Sequence, residues 1–342
     1  MNRINSRKGL WRAAVVIALA GLPWATSDPY KLHILNMMGF YVILTVGLNL
    51  AMGFCGQFNL AMAPLFGIGA YTSALLALRA GVPVWLCVPI AGLAAAVLGA
   101  VVGLPSLKVR SHYLAIVTIG LGTVIDSVLA NWTSLTNGAI GLTGIPALTL
   151  FGYAFRSDRS YYYVLLVVLL ALFAMAQTIV RSPVGRAFVA IRDDYLAARA
   201  SGINTGQYQV VAFALSAFFA GIAGSLYAHL ASYISPDSFQ WDQTLMVLAM
   251  ALIGGLGDLY GSVLGAVVLT LLGQYLQAFD QYQWVLYGFM VLLLVIFLPG
   301  GVVSLRRRSV RKPWFRRFAG RIRRLTGGRS AGHDRYAPEE EG

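Results

Sequence analysis

Apolar runs of about twenty residues, separated by short polar breaks, set the rhythm of this chain. That is the length a helix needs to cross a bilayer. Ten such segments are expected: Leu10–Ala25, His33–Met52, Leu60–Leu78, Val84–Leu104, Tyr113–Asn131, Tyr161–Val180, Gln209–Ser232, Gln243–Gly254 with its flanks, Tyr260–Phe279 and Trp284–Leu298. A longer polar segment, Trp132–Ser160, separates the fifth from the sixth. Lipid offers the backbone no hydrogen-bond partners, so membrane-spanning chain must be helical or a closed barrel. The runs do not alternate, which selects helices. The expected fold class is all-α: a polytopic transmembrane helical bundle of about ten spans.

One stretch breaks the rhythm. Arg181–Tyr208 holds Arg181, Arg186, Arg192, Arg199, Asp193 and Asp194 among alanines and valines. It is too charged to cross a membrane and too patterned for a slack loop. Val184, Phe188, Ile191 and Tyr195 recur at helical spacing as an apolar stripe, and Gly202 stands where a helix would stop. One or two short surface helices are expected. A helix with one apolar and one charged face suits a groove on a partner or the lipid interface, and the residues alone leave both open.

Composition supports the membrane class. Of 342 residues, 58% are hydrophobic and 11% charged, with mean hydropathy +0.70; soluble domains carry about 25% charged residues. The net charge of +13 does not indicate nucleic-acid binding, because almost half of the 26 basic residues lie after Ser304 and most others in short loops. Alternating ten spans puts Lys31, Arg79, Arg156 and Arg159 on one side and every other basic residue on the opposite side. The positive-inside bias makes the second side cytoplasmic, with both termini there. Three parts follow: a cytoplasmic segment 1–9, a membrane domain 10–300 containing the 181–208 region, and a basic, disordered tail 301–342 attracted to anionic lipid headgroups. Ala25-Thr26-Ser27 resembles a signal cleavage site, but an uncleaved first span fits the alternation better. Cys55 and Cys87 lie near opposite membrane faces and are read as core residues.

Candidate chemistry is sparse. The histidines (His33, His112, His229 and His333) are scattered, and no nucleophile elbow, zinc motif or phosphate-binding loop appears. No cofactor is expected on this chain, and any nucleotide that drives it must bind elsewhere. Asp126 is the one carboxylate placed inside a span, a candidate by that fact. Gln57, Asn59, Thr118 and Thr123 are the other candidates for a solute path. Two glycine-rich breaks, at Gly53–Asn59 and Gly254–Asp258, form a weak internal echo. In the second, Gly257, Gly261 and Gly265 have the four-residue spacing of close helix packing.

The segments Gly185-Arg186-Ala187, Ala190-Ile191-Arg192-Asp193, Ala197-Ala198 and Gly202-Ile203-Asn204, with Tyr208 and the run Ala212–Tyr227, resemble the permease subunits of branched-chain amino acid ABC importers of the LivM type. Further matches run from about Asn49 to Gly300, including Gly67-Ile68-Gly69-Ala70-Tyr71 and Gly254-Gly255-Leu256-Gly257. The resemblance implies a permease of the bacterial inner membrane. It would pair with a second, homologous permease, two cytoplasmic ATP-binding subunits carrying ATP and magnesium, and a periplasmic solute-binding protein. Gly185, Arg186, Ala190, Ile191, Arg192, Asp193, Asp194, Ala197, Ala198 and Gly202 would then form the ATPase-coupling region. Relatives carry acidic residues where Tyr195 and Arg199 stand, and they differ at Asn59, Ala61, Met62, Thr123 and Asp126. The implied solute is a leucine-like amino acid or another amino acid, amide or urea. An ion-gradient transporter would show several intramembrane ionisable residues, and only Asp126 qualifies.

Overall fold

The computed structural model describes residues 19–24, 28–107, 111–150, 153–155 and 157–276, with isolated helical positions at 285, 288, 289 and 292. Apart from residues 19–24, which are helical, the expected first and tenth spans lie essentially outside these residues, as do the 1–9 segment and the 301–342 tail.

The first long helix, α1 (Pro29–Asn49), opens with Asp28 accepting from the Tyr30 amide and with proline at its first position. Both are helix-start devices. It runs on into a wide π-type turn, Leu50–Phe54. There follow α2 (Met62–Arg79), α3 (Val84–Gly103), α4 (Ser111–Asn131), the single turn α5 (Thr133–Thr136) and α6 (Asp158–Arg181). Two short helices come next, α7 (Pro183–Asp193) and α8 (Tyr195–Ala200), then α9 (Thr205–Ala231), α10 (Trp241–Gly254) and α11 (Leu259–Leu276). Seven of the described helices are long and apolar enough to cross a membrane: α1 with its π turn, α2, α3, α4, α6, α9 and α11. The chain is a multi-pass helical membrane protein.

The eighth expected span is α10, which has fourteen residues. At 1.5 Å per residue it is about 21 Å long, short of the roughly 30 Å hydrocarbon core. The chain nonetheless traverses the bundle there. At one end α9 gives way to β4 (Tyr233–Ile234), which pairs antiparallel with β1 (Leu142–Thr143). A tight turn, Pro236–Phe239, leads into α10. The far end of α10 reaches the turn beside Asn49 and Gly53, where α11 begins. This crossing is half irregular chain and half helix, so an apolar run of ordinary length did not announce it. A hairpin, β2 (Thr149–Leu150) with β3 (Tyr153–Ala154), lies in the polar interval before α6.

Burial places α1, α2 and α9 at the centre and α4 and α6 at the rim. Gly221 of α9 lies tight against α3: a Cβ there would stand 2.5 Å from Ala95 Cβ and 2.7 Å from the Ala91 carbonyl. A Cβ on Gly69 of α2 would meet the Gly221 backbone from the other side, and one on Gly224 would meet Phe66 O. Small residues at this spacing let helices without a hydrophobic driving force pack by direct backbone approach.

Candidate functional site

The charged stretch folds as expected into two short helices on the surface. Ser182 caps α7, its Oγ accepting from the amides of Val184 at 3.1 Å and Gly185 at 3.5 Å. Asp194 ends α7 and starts α8, its Oδ1 accepting from Leu196 N at 2.9 Å and Ala197 N at 3.0 Å. The extended backbone of Asp194 therefore bends the chain, and the apolar stripe stops there. Phe188 and Ile191 are buried under α7, with the Phe188 ring edge-on to Tyr208 at 6.3 Å. Tyr195 belongs to the second helix and points outward, contrary to the four-residue stripe expected from spacing.

The residues expected to couple to a partner divide in two. Arg186, Asp193, Asp194, Ala197 and Gly202 are exposed, while Gly185, Ile191 and Ala198 are buried and Ala190 is half-buried. The buried members seat the helices on the bundle. Leu196, absent from that set, is 75% exposed and beside Tyr195 makes an apolar knuckle on a charged surface. Its signal was a leucine two residues after a helix-capping aspartate in a segment too polar for lipid.

Arg192 is exposed along part of its side chain, but its guanidinium reaches back to the bundle. Its Nη1 donates to the Gly53 carbonyl at 2.9 Å, while Nε and Nη2 donate to Asp193 Oδ1 at 3.1 and 2.9 Å. The two glycine-rich breaks meet at this point. Asn49 Oδ1 accepts from Gly257 N at 2.9 Å, and Asn49 Nδ2 donates to Asp258 O at 3.0 Å and to Ser262 Oγ. Asp258 caps α11 through the amides of Tyr260 and Gly261. Gly257 is thus a turn residue with φ +80, and not part of the helix-packing row expected with Gly261 and Gly265. Those two do pack: Gly265 abuts Met250 O, and Gly254 of α10 abuts Gly261 O. Cys55 is buried beside this junction, as a core residue.

Three expected path residues serve the backbone. The chain between the π turn and α2 is irregular, which at membrane depth requires protein partners for its amides. Thr118 Oγ1 accepts from Leu60 N at 3.2 Å, and Asn59 Oδ1 accepts from Ala61 N at 3.1 Å. Thr244, at the start of α10, accepts from Ala63 N at 3.0 Å, so the first turns of α2 and α10 meet. Gln57 is buried and donates to Cys55 O at 3.4 Å. Asn59, Thr118 and Thr244 thus cap amides, and Gln57 meets a carbonyl. A further buried relay is equally closed: Ser225 Oγ donates to Ser73 Oγ, which donates to His229 Nε2, while His229 Nδ1–H donates to Pro146 O.

Thr123 and Asp126 stand apart from these. Gly120, Thr123, Ser127 and Asn131 form a stripe of small and polar residues along the outer face of α4, with Val124, Val128 and Trp132 beside them. They line an open groove of about 720 Å³. Thr123 donates to Ile119 O at 3.1 Å and Asn131 to Ser127 O at 2.8 Å, so each is satisfied within its own helix. Asp126 is half-buried beside the groove, and neither ion pair among the described residues includes it. A membrane helix turns such a face to protein or water in preference to lipid.

Comparison with known proteins agrees with this architecture. A family model described as the branched-chain amino acid transport system permease component matches residues 30–298. The high-affinity branched-chain amino acid transport system permease protein LivM of Salmonella typhimurium is 34% identical over 329 residues, covering 89% of this chain and 77% of that protein. LivH of the same system and organism is 24% identical over 284 residues, covering 77% and 91%. The ribose import permease protein RbsC of Haemophilus influenzae is 24% identical over 298 residues, covering 83% and 90%. No solved structure matches.

Proposed function

The chain belongs to the family of permease components of branched-chain amino acid transport systems, and from that premise we propose that it passes a branched-chain amino acid, or a related small polar solute, into the bacterial cytoplasm. It is a membrane permease subunit of an ATP-driven importer; the solute, the direction of the termini and the role of each residue are the proposal. The stripe on α4 carries it. Gly120, Thr123 and Ser127 set small and hydroxyl-bearing surface among the exposed Val124 and Val128, a mixture suited to close approach by another helix. A second, homologous permease placed against that face encloses a polar path between the two chains. Asp126 lies at its edge, available to a cationic group of the solute or of the facing helix.

In this proposal α7 and α8 lie in the cytoplasm, where two ATP-binding subunits grip the surface around Arg186, Asp194 and the Leu196 knuckle. ATP and magnesium are held by those subunits, and this chain hydrolyses nothing. A periplasmic binding protein delivers solute at the opposite end, beside the β1–β4 ribbon. The 1–9 segment and the 301–342 tail are cytoplasmic, with the tail's arginines on anionic lipid. The neutral caps at Gln57, Asn59 and Thr118 hold the irregular chain before α2 and do not contact solute.

The test is uptake of radiolabelled L-leucine by proteoliposomes containing the chain with its partner permease, ATPase subunits and binding protein. Uptake is expected only with ATP inside and binding protein outside. Uptake that ignores ATP and follows a proton or sodium gradient overturns the importer mechanism. ATP-driven uptake of another solute class, with leucine excluded, overturns the solute.

A further inference from the structure

We infer that Arg192 is the positioning residue that transmits motion from the coupling helices to the membrane spans, acting inward and not as a contact for the ATPase. The inference rests on the proposal that α7 and α8 receive the ATPase subunits. Arg192 lies in the last turn of α7, on a surface where its neighbours Asp193 and Asp194 face outward. Its guanidinium nonetheless reaches back 139 residues along the chain to the Gly53 carbonyl. That carbonyl belongs to the end of a helical segment, where acceptors lack intrahelical partners and carry the negative end of the dipole. A charged donor on such an acceptor is stronger than a neutral one.

The surroundings are shaped around the arginine. Gly56 has φ +72, and a Cβ there would stand 3.1 Å from Arg192 Cγ and 3.3 Å from its Cα. Gly257 has φ +80, and a Cβ there would stand 2.7 Å from Nη1. Both glycines hold left-handed conformations that other residues adopt at a cost, and both leave room along the side chain. Asp193 aligns the guanidinium through two donors but is well exposed, so this pair adds little stability of its own. Asn49 then ties Gly53's helix to the turn that begins α11. One side chain on α7 therefore touches α1 and lies against the α10–α11 turn. A displacement of α7 pulls on α1 through a polar contact, and on α11 through Asn49.

The test uses the importer purified with its ATPase subunits and follows amide hydrogen exchange with and without ATP bound. In the unaltered complex, ATP is expected to shift exchange both in α7–α8 and in the two turns at 53–58 and 255–261. In Arg192→Gln the complex still assembles and the shift in α7–α8 persists, while the shift in both turns is lost; Arg192→Lys, which can still reach one carbonyl, restores part of it. Retention of the turn shift in Arg192→Gln overturns the inference alone. Failure of Arg192→Gln to bind the ATPase subunits, with a folded permease by thermal melt, also overturns it and makes Arg192 a docking contact. If ATP leaves α7–α8 unchanged in the unaltered complex, the docking proposal fails first.

Discussion

Two helices consecutive in the chain, α3 and α4, present large outer faces that differ in how many polar atoms they carry. On α3 the exposed side chains are Trp85, Leu86, Ile90, Leu93, Val97 and Val101. On α4 the outer face mixes exposed Ile116, Val124 and Val128 with Gly120, Thr123, Ser127 and Asn131. Both helices pass a hydropathy criterion for a span, so bulk apolarity does not separate them. Placement of the polar atoms does. The α3 face matches hydrocarbon, where polar groups gain nothing, whereas the α4 face would forfeit contacts in lipid and gains them against a protein or a wet path.

That contrast can be broken by exchanging chemistry between the faces. The largest effect is expected from charge. Val97→Arg on α3 places a cation in lipid, at about 2.5–3.5 kcal/mol on insertion scales. Thr123→Arg on α4 places one in the proposed path and escapes most of that cost. Membrane-integrated yield should fall for the first and hold for the second; equal losses would mean both faces meet lipid. Bulk comes next. Ser127→Trp should disrupt assembly with the second permease, since overpacking costs about 1–3 kcal/mol, or roughly 5- to 150-fold in association. Leu93→Trp should leave co-purification unchanged. The smallest effect is expected from Asn131→Ala. Its side chain already bonds Ser127 O, so thermal stability should move by less than about 0.5 kcal/mol, as at an ordinary surface site. A larger loss would show that Asn131 has a partner across the interface.

Sequence periodicity located the long helices because their lengths and ends are local properties. Val84–Leu104 was expected and α3 spans Val84–Gly103; Tyr113–Asn131 was expected and α4 spans Ser111–Asn131. The surface helices near 181–208 were legible from charge and capping residues. What was hidden is nonlocal. The eighth crossing was expected at Gln243–Gly254 with its flanks, but not its make-up of irregular chain and short helix, nor the β1 pairing of the strand that precedes it. Asn59 and Thr118 look like path residues because polar atoms are costly in lipid. The amides they cap belong to chain whose irregularity no hydropathy window registers. The direction of Arg192 was also invisible, since it depends on a carbonyl 139 residues away.

The glycine contacts of Gly221 with α2 and α3 bear on how a gate can open. Backbones this close leave no lubricating side chains between them, so α2, α3 and α9 have no room to slide or roll independently. They form a keel. Any rocking must then be absorbed where the helical ladder is already interrupted, in the irregular chain before α2 and before α10. Those two joints meet each other where Thr244 receives the Ala63 amide. A bulkier residue at position 221 should therefore splay the keel itself, disabling the permease without touching either the solute path or the surface helices.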